Sequence, residues 1–150
     1  KKIKTRPEDR RIIMSLWNPH DNIKTVLPPC PCFYQFIASE PGYLHLNVYQ
    51  RSCDTFLGVP FNDAQDALLL IMMAKITGRK PKRFTHFFAD THIYHNHFDY
   101  VKEQLTREPK TPPSIRVNGD PKDIADINWQ DIELSGYDPH PGFKNCPVAV

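Results

Sequence analysis

The sequence predicts an α+β fold: a mixed β-sheet core with one long buried helix. Three observations carry that expectation. Tyr43–Gln50 alternates strictly, with Leu44, Leu46 and Val48 set against His45, Asn47 and Tyr49, the period of a half-buried strand. Asp63–Thr77 contains the longest apolar run, Ala67 to Ala74, and Gly78 follows as a helix stop. Further β-branched and aromatic segments lie on both sides of that helix, so strands outnumber helices.

The totals bound the answer. The chain has 150 residues, the size of one domain or part of a larger one. Hydrophobic residues make up 40%, enough for a substantial core. The net charge of +2 gives no whole-chain field that would attract nucleic acid, and no obligatory nucleic-acid partner is expected. No apolar run approaches the roughly 20 residues of a membrane span. Cys30, Cys32, Cys53 and Cys146 show no disulfide spacing, and Cys30 and Cys32 are too close to bridge normally. We read all four as thiols of a reducing, cytoplasmic compartment. The opening at Lys1 without a methionine points to the C-terminal part of a longer protein.

In order, Lys1 to Arg11 is charged and expected to be exposed. Arg10–Trp17 reads as a strand entering the core, and Asn18-Pro19-His20-Asp21-Asn22 as a turn. Cys32–Ala38 is the next strand, joined to Tyr43–Gln50 by the hairpin turn Glu40-Pro41-Gly42. In the long helix, Ala64, Ala67, Leu68, Ile71, Met72 and Lys75 recur at helical spacing, and Asn62 or Asp63 is placed to cap it. Phe84–Tyr94 is a strand with Asp90, His92 and Tyr94 on one face. His97–Arg107 is a helix ending at Glu108-Pro109. Ser114–Val117 and Ile132–Leu134 are short strands, separated by a turn and short helix in Asp120–Trp129. Gly136 to Gly142 is a turn-rich loop.

Chemistry-bearing residues concentrate between Leu27 and Asn62. Cys30 follows Pro28-Pro29 and precedes Pro31, which confines its backbone and aims its thiol. Nucleophilic cysteines sit in electropositive surroundings, and Arg51 or the Arg10-Arg11 pair could supply them. The bland reading is a buried structural cysteine, which we keep for Cys32, Cys53 and Cys146. Arg51-Ser52 offers a guanidinium fork and a hydroxyl suited to a phosphate, or else a surface ion pair; Arg10-Arg11 has the same two readings. Asn62 offers a donor and an acceptor to a pyrimidine edge, or caps the helix. His92 and Tyr94 could bind a sugar hydroxyl, or form a satisfied half-buried pair. No metal site is expected, because His92, His95 and His97 do not share a face and no thiol or carboxylate completes a set.

Leu-Pro-Pro-Cys30, Tyr49-Gln50-Arg51-Ser52-Cys53-Asp54, Leu57-Gly58-Val59-Pro60-Phe61-Asn62, Asp90-Thr91-His92-Ile93-Tyr94, Gly136-Tyr137-Asp138-Pro139-His140-Pro141 and Pro147-Val148-Ala149-Val150 together resemble thymidylate synthase, in that family's order and near its spacing. The resemblance covers essentially all of residues 1–150 and corresponds to the C-terminal portion of that catalytic domain. It implies a thymidylate synthase-like fold and a homodimer that methylates dUMP at carbon 5, with 5,10-methylenetetrahydrofolate as co-substrate and no metal. Cys30 would be the nucleophile toward ring carbon 6. Arg51 and Ser52 would hold the 5′-phosphate, joined by Arg10 and Arg11 from the other subunit. Asn62 would read the uracil edge, Gln50 would lie beside phosphate and nucleophile, and His92 and Tyr94 would bind the 3′-hydroxyl. Asp54, Gly58, Phe61 and Ala149 would border the folate, Asp54 also facing the nucleotide.

Two departures from the family pattern stand out. Pro31 replaces the histidine that the family has after the nucleophile. Asp63-Ala64-Gln65-Asp66 replaces its Ile-Ala-Ser-Tyr, which makes that wall more polar. They raise a second expectation, a dUMP hydroxymethylase in which water takes the place of hydride. Asn62 argues for uracil over cytosine, so a dCMP enzyme is disfavoured. A third reading, from another class, is a non-catalytic nucleotide- or RNA-binding remnant of the fold.

Overall fold

The computed structural model describes residues 1–148. Its main sheet has four strands: β1 (Ile13–Ser15), β2 (Pro31–Ile37), β3 (Tyr43–Asp54) and β4 (Lys80–His92), in that spatial order. β1, β2 and β3 run antiparallel, whereas β4 lies parallel to β3. A parallel pair needs a long crossover. Here it is a 20-residue helix, Gly58–Thr77, designated α3 after two short helices, α1 (Lys2–Thr5) and α2 (Pro19–Asn22). The helix α4 (Phe98–Leu105) follows a 3₁₀ turn at His95–His97. A separate two-stranded ribbon pairs β5 (Ser114–Val117) with β6 (Ile132–Ser135).

The α+β class and the mixed sheet are as the sequence predicts. The alternation along β3 divides the two faces of the sheet. Leu44, Leu46 and Val48 are wholly buried with Tyr34 and Phe36 of β2, against Leu70 and Ala74 of α3. The opposite face, carrying Phe33, Tyr49 and Phe87, stays open, with Tyr49 46% exposed.

Several boundaries differ from expectation. The first strand is only Ile13–Ser15 and lies at an exposed edge; Ile12 alone of that segment reaches the core. The N-terminal segment folds into α1 and buries Ile3. Asn18 caps α2, its side chain accepting from His20 N at 3.2 Å, so the expected turn is a single helical turn. β3 and β4 are both longer than expected, because each gains hydrogen bonds from the other along eleven paired positions. Tyr94 falls beyond the end of β4, so it does not share a strand face with His92. Asp120–Trp129 holds a 3₁₀ turn at Ile124–Asp126, and a second begins at Trp129.

α3 begins five residues before the expected start. Pro60 is tolerated in its first turn, where a backbone N–H has no helical partner to lose. The cap is neither Asn62 nor Asp63. Asp54, at the end of β3, accepts from the backbone N–H groups of Phe56 at 3.2 Å and Gly58 at 3.2 Å. Gly78 closes the helix in the left-handed region, φ 69°. The buried face runs through Asp66, Leu70 and Ala74, with Leu69 and Met73 packed beside it, and not through the expected Ala64–Lys75 stripe. The segment is apolar nearly all round, so periodicity could not choose a face.

Leu46 sits at the centre of this core with no exposure. Leu46→Ala is expected to lower unfolding stability by about 2–5 kcal/mol, the usual range for a buried leucine. Urea unfolding of the intact protein measures it; a loss under about 1 kcal/mol would show that the sheet–helix interface is loosely packed.

Candidate active site

The site gathers where β3 and β4 end, α3 begins and β2 starts. In open sheets with parallel strands, ligands bind at the carboxyl ends of those strands. The register of β2 on β3 slips between Pro31 and Phe33, so Pro31 lies opposite Gln50. Such bulges recur beside active sites because they re-aim a side chain. This one brings Cys30 level with Arg51, whose backbone N–H donates to Cys30 O at 2.9 Å.

Arg51 then holds the proline-rich approach to the cysteine. Its Nε donates to Pro29 O at 3.0 Å and its Nη2 to Pro28 O at 2.8 Å. Nη2 also reaches Cys30 Sγ at 4.0 Å, and Trp17 lies under the guanidinium with 5.4 Å to its ring centroid. A permanent cation therefore stands against the cysteine sulfur. Nη1 has no hydrogen-bond partner among the described residues and is the donor left for an anion.

Arg10 and Arg11 do not share this role within the chain. They lie near the other end of β2, where Gln35 Nε2 donates to Arg10 O, about 20 Å from Cys30 at strand spacing. Arg11 bonds to Asp9 at 3.0 Å. Hydrogen bonds from the Arg11 backbone and guanidinium pull the Asp9 carboxyl down to about 2. The expectation that this pair supplies the field at Cys30 in its own chain is therefore corrected; among the described residues, Arg51 is the arginine that reaches the sulfur.

Gln50 and Asn62 meet behind the cysteine. Gln50 is buried; its Nε2 donates to Asn62 Oδ1 at 3.1 Å and to Ser52 O at 2.8 Å. That contact fixes the Asn62 amide and presents its Nδ2 donors away from Gln50. Ser52 pairs with Asp90 across β3 and β4, and Asp54 with His92. The His92 and Tyr94 rings meet edge-on at 5.1 Å between centroids, so the two residues are adjacent even though Tyr94 has left the strand. Asp54, expected at the folate, has its carboxylate engaged by the start of α3. Gly58 lies directly over it, since an added Cβ would stand 3.4 Å from Asp54 Cβ. Phe61 presents an exposed ring. Ala149 lies outside the described residues.

Sequence reasoning missed a buried polar group. Tyr34 Oη donates to Asp66 Oδ1 at 3.1 Å, and His86 Nδ1 pairs with Asp63 Oδ1 at 2.6 Å. Burial pushes the Asp66 carboxyl up from the usual range, against the hydrogen bond from Tyr34. Asp63 and Asp66 were visible as departures from the family pattern. The signal for burial was the i,i+4 spacing of Asp66 from Asn62, and for His86 its alternation with Phe84 and Phe88. Cys53 is fully buried and its thiol is pushed up by burial, the structural role expected for it. Among the described residues, no group of three or more His, Cys, Asp or Glu side chains is placed to hold a metal.

A thiol beside an arginine and a fixed amide thus gather at the same end of a mixed sheet in an α+β fold. The family model described as thymidylate synthase matches residues 1–150, and the chain belongs to that family. Family membership makes it a methyl or hydroxymethyl transferase, with folate-dependent one-carbon transfer to dUMP as its general reaction.

Asp66 generates a stability prediction. Its folded pKa is raised, so the folded state holds the proton more tightly than the unfolded chain. Its ionisation therefore opposes folding above the ordinary carboxylate range, and that penalty vanishes as pH falls below it. Asp66→Asn is expected to unfold at a higher temperature than the parent near about pH 8, with the gap closing toward about pH 4. Thermal scans across that interval check it; a gap independent of pH would remove burial of the charge as the cause.

Proposed function

We propose that the chain is the C-terminal portion of a catalytic domain that transfers a one-carbon unit from 5,10-methylenetetrahydrofolate to carbon 5 of dUMP, through a covalent bond from Cys30 Sγ to ring carbon 6. The observation that carries this reading is the joining of Cys30, Arg51 and the Gln50–Asn62 amide pair at one end of the sheet. Carbon 5 of uracil is a poor nucleophile. Thiolate addition at carbon 6 turns carbon 5 into an enolate equivalent, dividing one hard step into easier ones. Asn62 Nδ2 donates to the uracil carbonyl on which that negative charge gathers, while its Oδ1 is held by Gln50. Arg51 Nη1 and Ser52 serve the phosphate, and His92 with Tyr94 the 3′-hydroxyl. The exposed ring of Phe61, beside Gly58, fits a flat aromatic co-substrate, which supplies the one-carbon unit when bound. Ala149 is the remaining folate residue of this proposal.

The first reading of the outcome is methylation, giving dTMP and dihydrofolate. A second reading, dUMP hydroxymethylation, is favoured by the Asp66–Tyr34 pair, buried one helical turn from Asn62, and by the half-exposed Asp63 beside Asn62, which pairs with His86. Four unpaired cysteines support a reducing, cytoplasmic setting for either.

The homodimer is part of the proposal. The open sheet face groups Phe33, Ile37, Tyr49 and Phe87, each exposed, and two copies stacked on it would bury a contiguous apolar patch. Arg10 and Arg11 stand at the far end of β2 from Cys30, so a copy turned about a two-fold axis could bring them to its partner's phosphate site. Tyr49→Glu is expected to give monomers by analytical ultracentrifugation at micromolar concentration and to lose turnover. Persistence of the dimer would refute this face.

The chemistry is tested on the intact protein with dUMP and methylenetetrahydrofolate. Cys30→Ala is expected to abolish turnover while dUMP still binds; retained turnover would sink the nucleophile. Product analysis separates dTMP with dihydrofolate from 5-hydroxymethyl-dUMP with tetrahydrofolate. Neither product from the parent protein would point to a binding remnant.

A further inference from the structure

Four polar side chains that the transfer chemistry above does not use meet under the start of α3. Asp66 lies one helical turn beyond Asn62 on the same face and is wholly buried. Its Oδ1 is held by Tyr34, and its Oδ2 is buried with no partner among the described residues. His86 comes from β4. Tyr34 and His86 are both cross-strand neighbours of Val48, so the three form one row across the sheet. Asp63 holds His86 Nδ1, the Phe88 ring stands edge-on to the imidazole at 4.5 Å, and His86 Nε2 is also buried without a partner among the described residues. Asp63 and Asp66 are one turn apart on α3 and are bonded to His86 and Tyr34, which flank Val48, so the Asp66 and His86 side chains enter the same layer between helix and sheet. Gln50, whose Nε2 is bonded to Asn62, contributes a third buried atom, Oε1, with no partner among the described residues.

Folded proteins meet such atoms with ordered water that bridges two to four polar groups. A carboxylate oxygen and an imidazole nitrogen, both fixed by second partners, provide such a seat. An imidazole and a carboxylate are also the side chains that most often take a proton from water.

We propose that Asp66 and His86, positioned by Tyr34 and Asp63, seat a buried water beneath Asn62 and accept its proton as it adds to the one-carbon unit on the Cys30-bound ring. This inference rests on the hydroxymethylase reading above and assigns its determinant. The step balances without a reductant. The water oxygen bonds to the exocyclic methylene carbon, and the methylene π pair moves into the ring as an enolate. The water proton passes to Asp66. Collapse of the enolate breaks the bond from ring carbon 6 to Cys30 Sγ and restores the ring double bond, leaving a hydroxymethyl group. No hydride moves, so the folate departs as tetrahydrofolate. Burial, which raises Asp66 above an ordinary carboxylate, makes it the better proton acceptor.

The test compares the intact parent protein with Asp66→Asn and His86→Gln, using dUMP tritiated at carbon 5. Tritium release reports the loss of the carbon 5 proton, which precedes the fate of the methylene. The expected result is at least a tenfold fall in 5-hydroxymethyl-dUMP formed per tritium released in both variants. A general structural defect would lower both quantities together and leave their ratio unchanged. A crystal structure of the parent protein with dUMP is expected to show water bonded to Asp66 Oδ2 and His86 Nε2; a dry site would overturn the proposal. If the parent makes 5-hydroxymethyl-dUMP and the variants keep its ratio, the assignment of Asp66 and His86 fails and the hydroxymethylase reading stands. If the parent makes only dTMP, that reading fails and takes the assignment with it.

Discussion

β3 is hydrogen-bonded along both edges, antiparallel to β2 and parallel to β4. Its period of two then sorts everything else. Leu44, Leu46, Val48 and Gln50 point toward α3, while His45, Asn47 and Tyr49 point to the open face. The apolar part of the first row makes the core, and its last member, Gln50, enters the site and locks Asn62. The next residue, Arg51, ties the start of β2 to the end of β3 and stands against Cys30. A one-residue slip in this register would exchange core for surface and separate the amide from the thiol. The packing of the core and the arrangement of the candidate site therefore fall on the same hydrogen-bond ladder.

The crossover gives that ladder its second function. A parallel neighbour for β3 demands a long connection, and α3 begins four residues after Asp54. Asp54 accepts from the first N–H of the helix, at Gly58, and from Phe56 in the turn before it, so the end of the strand is tied to the start of the helix. Asn62 lies just beyond that junction. Its position is set by backbone geometry at Asp54 and by the Gln50 amide, with little freedom left to its own side chain.

The alternation of β3, the glycine stop of α3 and the short ribbon strands were all legible, because each is a local pattern with a local cause. The grouping of Cys30 with Arg51 was also legible, since proline confinement and side-chain chemistry are written in single residues. What was not legible depended on pairing partners. The extension of β4 back to Lys80 comes from β3, and no strand signal lies in Lys80–Arg83 itself. The core face of α3 was misread because an apolar segment offers every face equally until a sheet chooses one. Arg10 and Arg11 looked near Cys30 in function, yet the antiparallel β1–β2 pairing carries them to the opposite end. The cap was sought at Asn62 because a helix start is read from the nearest polar residue, whereas Asp54 reaches it from the preceding strand.

The buried Asp66 shows where local rules and the fold part company. A carboxylate in an apolar helix would ordinarily face water, and Asp66 does not. Burying it raises its pKa and opposes folding near neutrality, and one partner, Tyr34, offsets only part of that cost. Apolar side chains at Asp66 and His86 would remove both unpaired atoms and fill the same space. Departures from the locally stable choice concentrate at functional sites. Here the departure lies one helical turn from the Asn62 amide, in the layer between the core and the proposed site. The fold shared with the family fixes the thiol, the arginine and the amide. The polarity of the layer behind them is therefore where this chain departs from the pattern it otherwise follows, and on the proposal above that layer decides what reaches the ring.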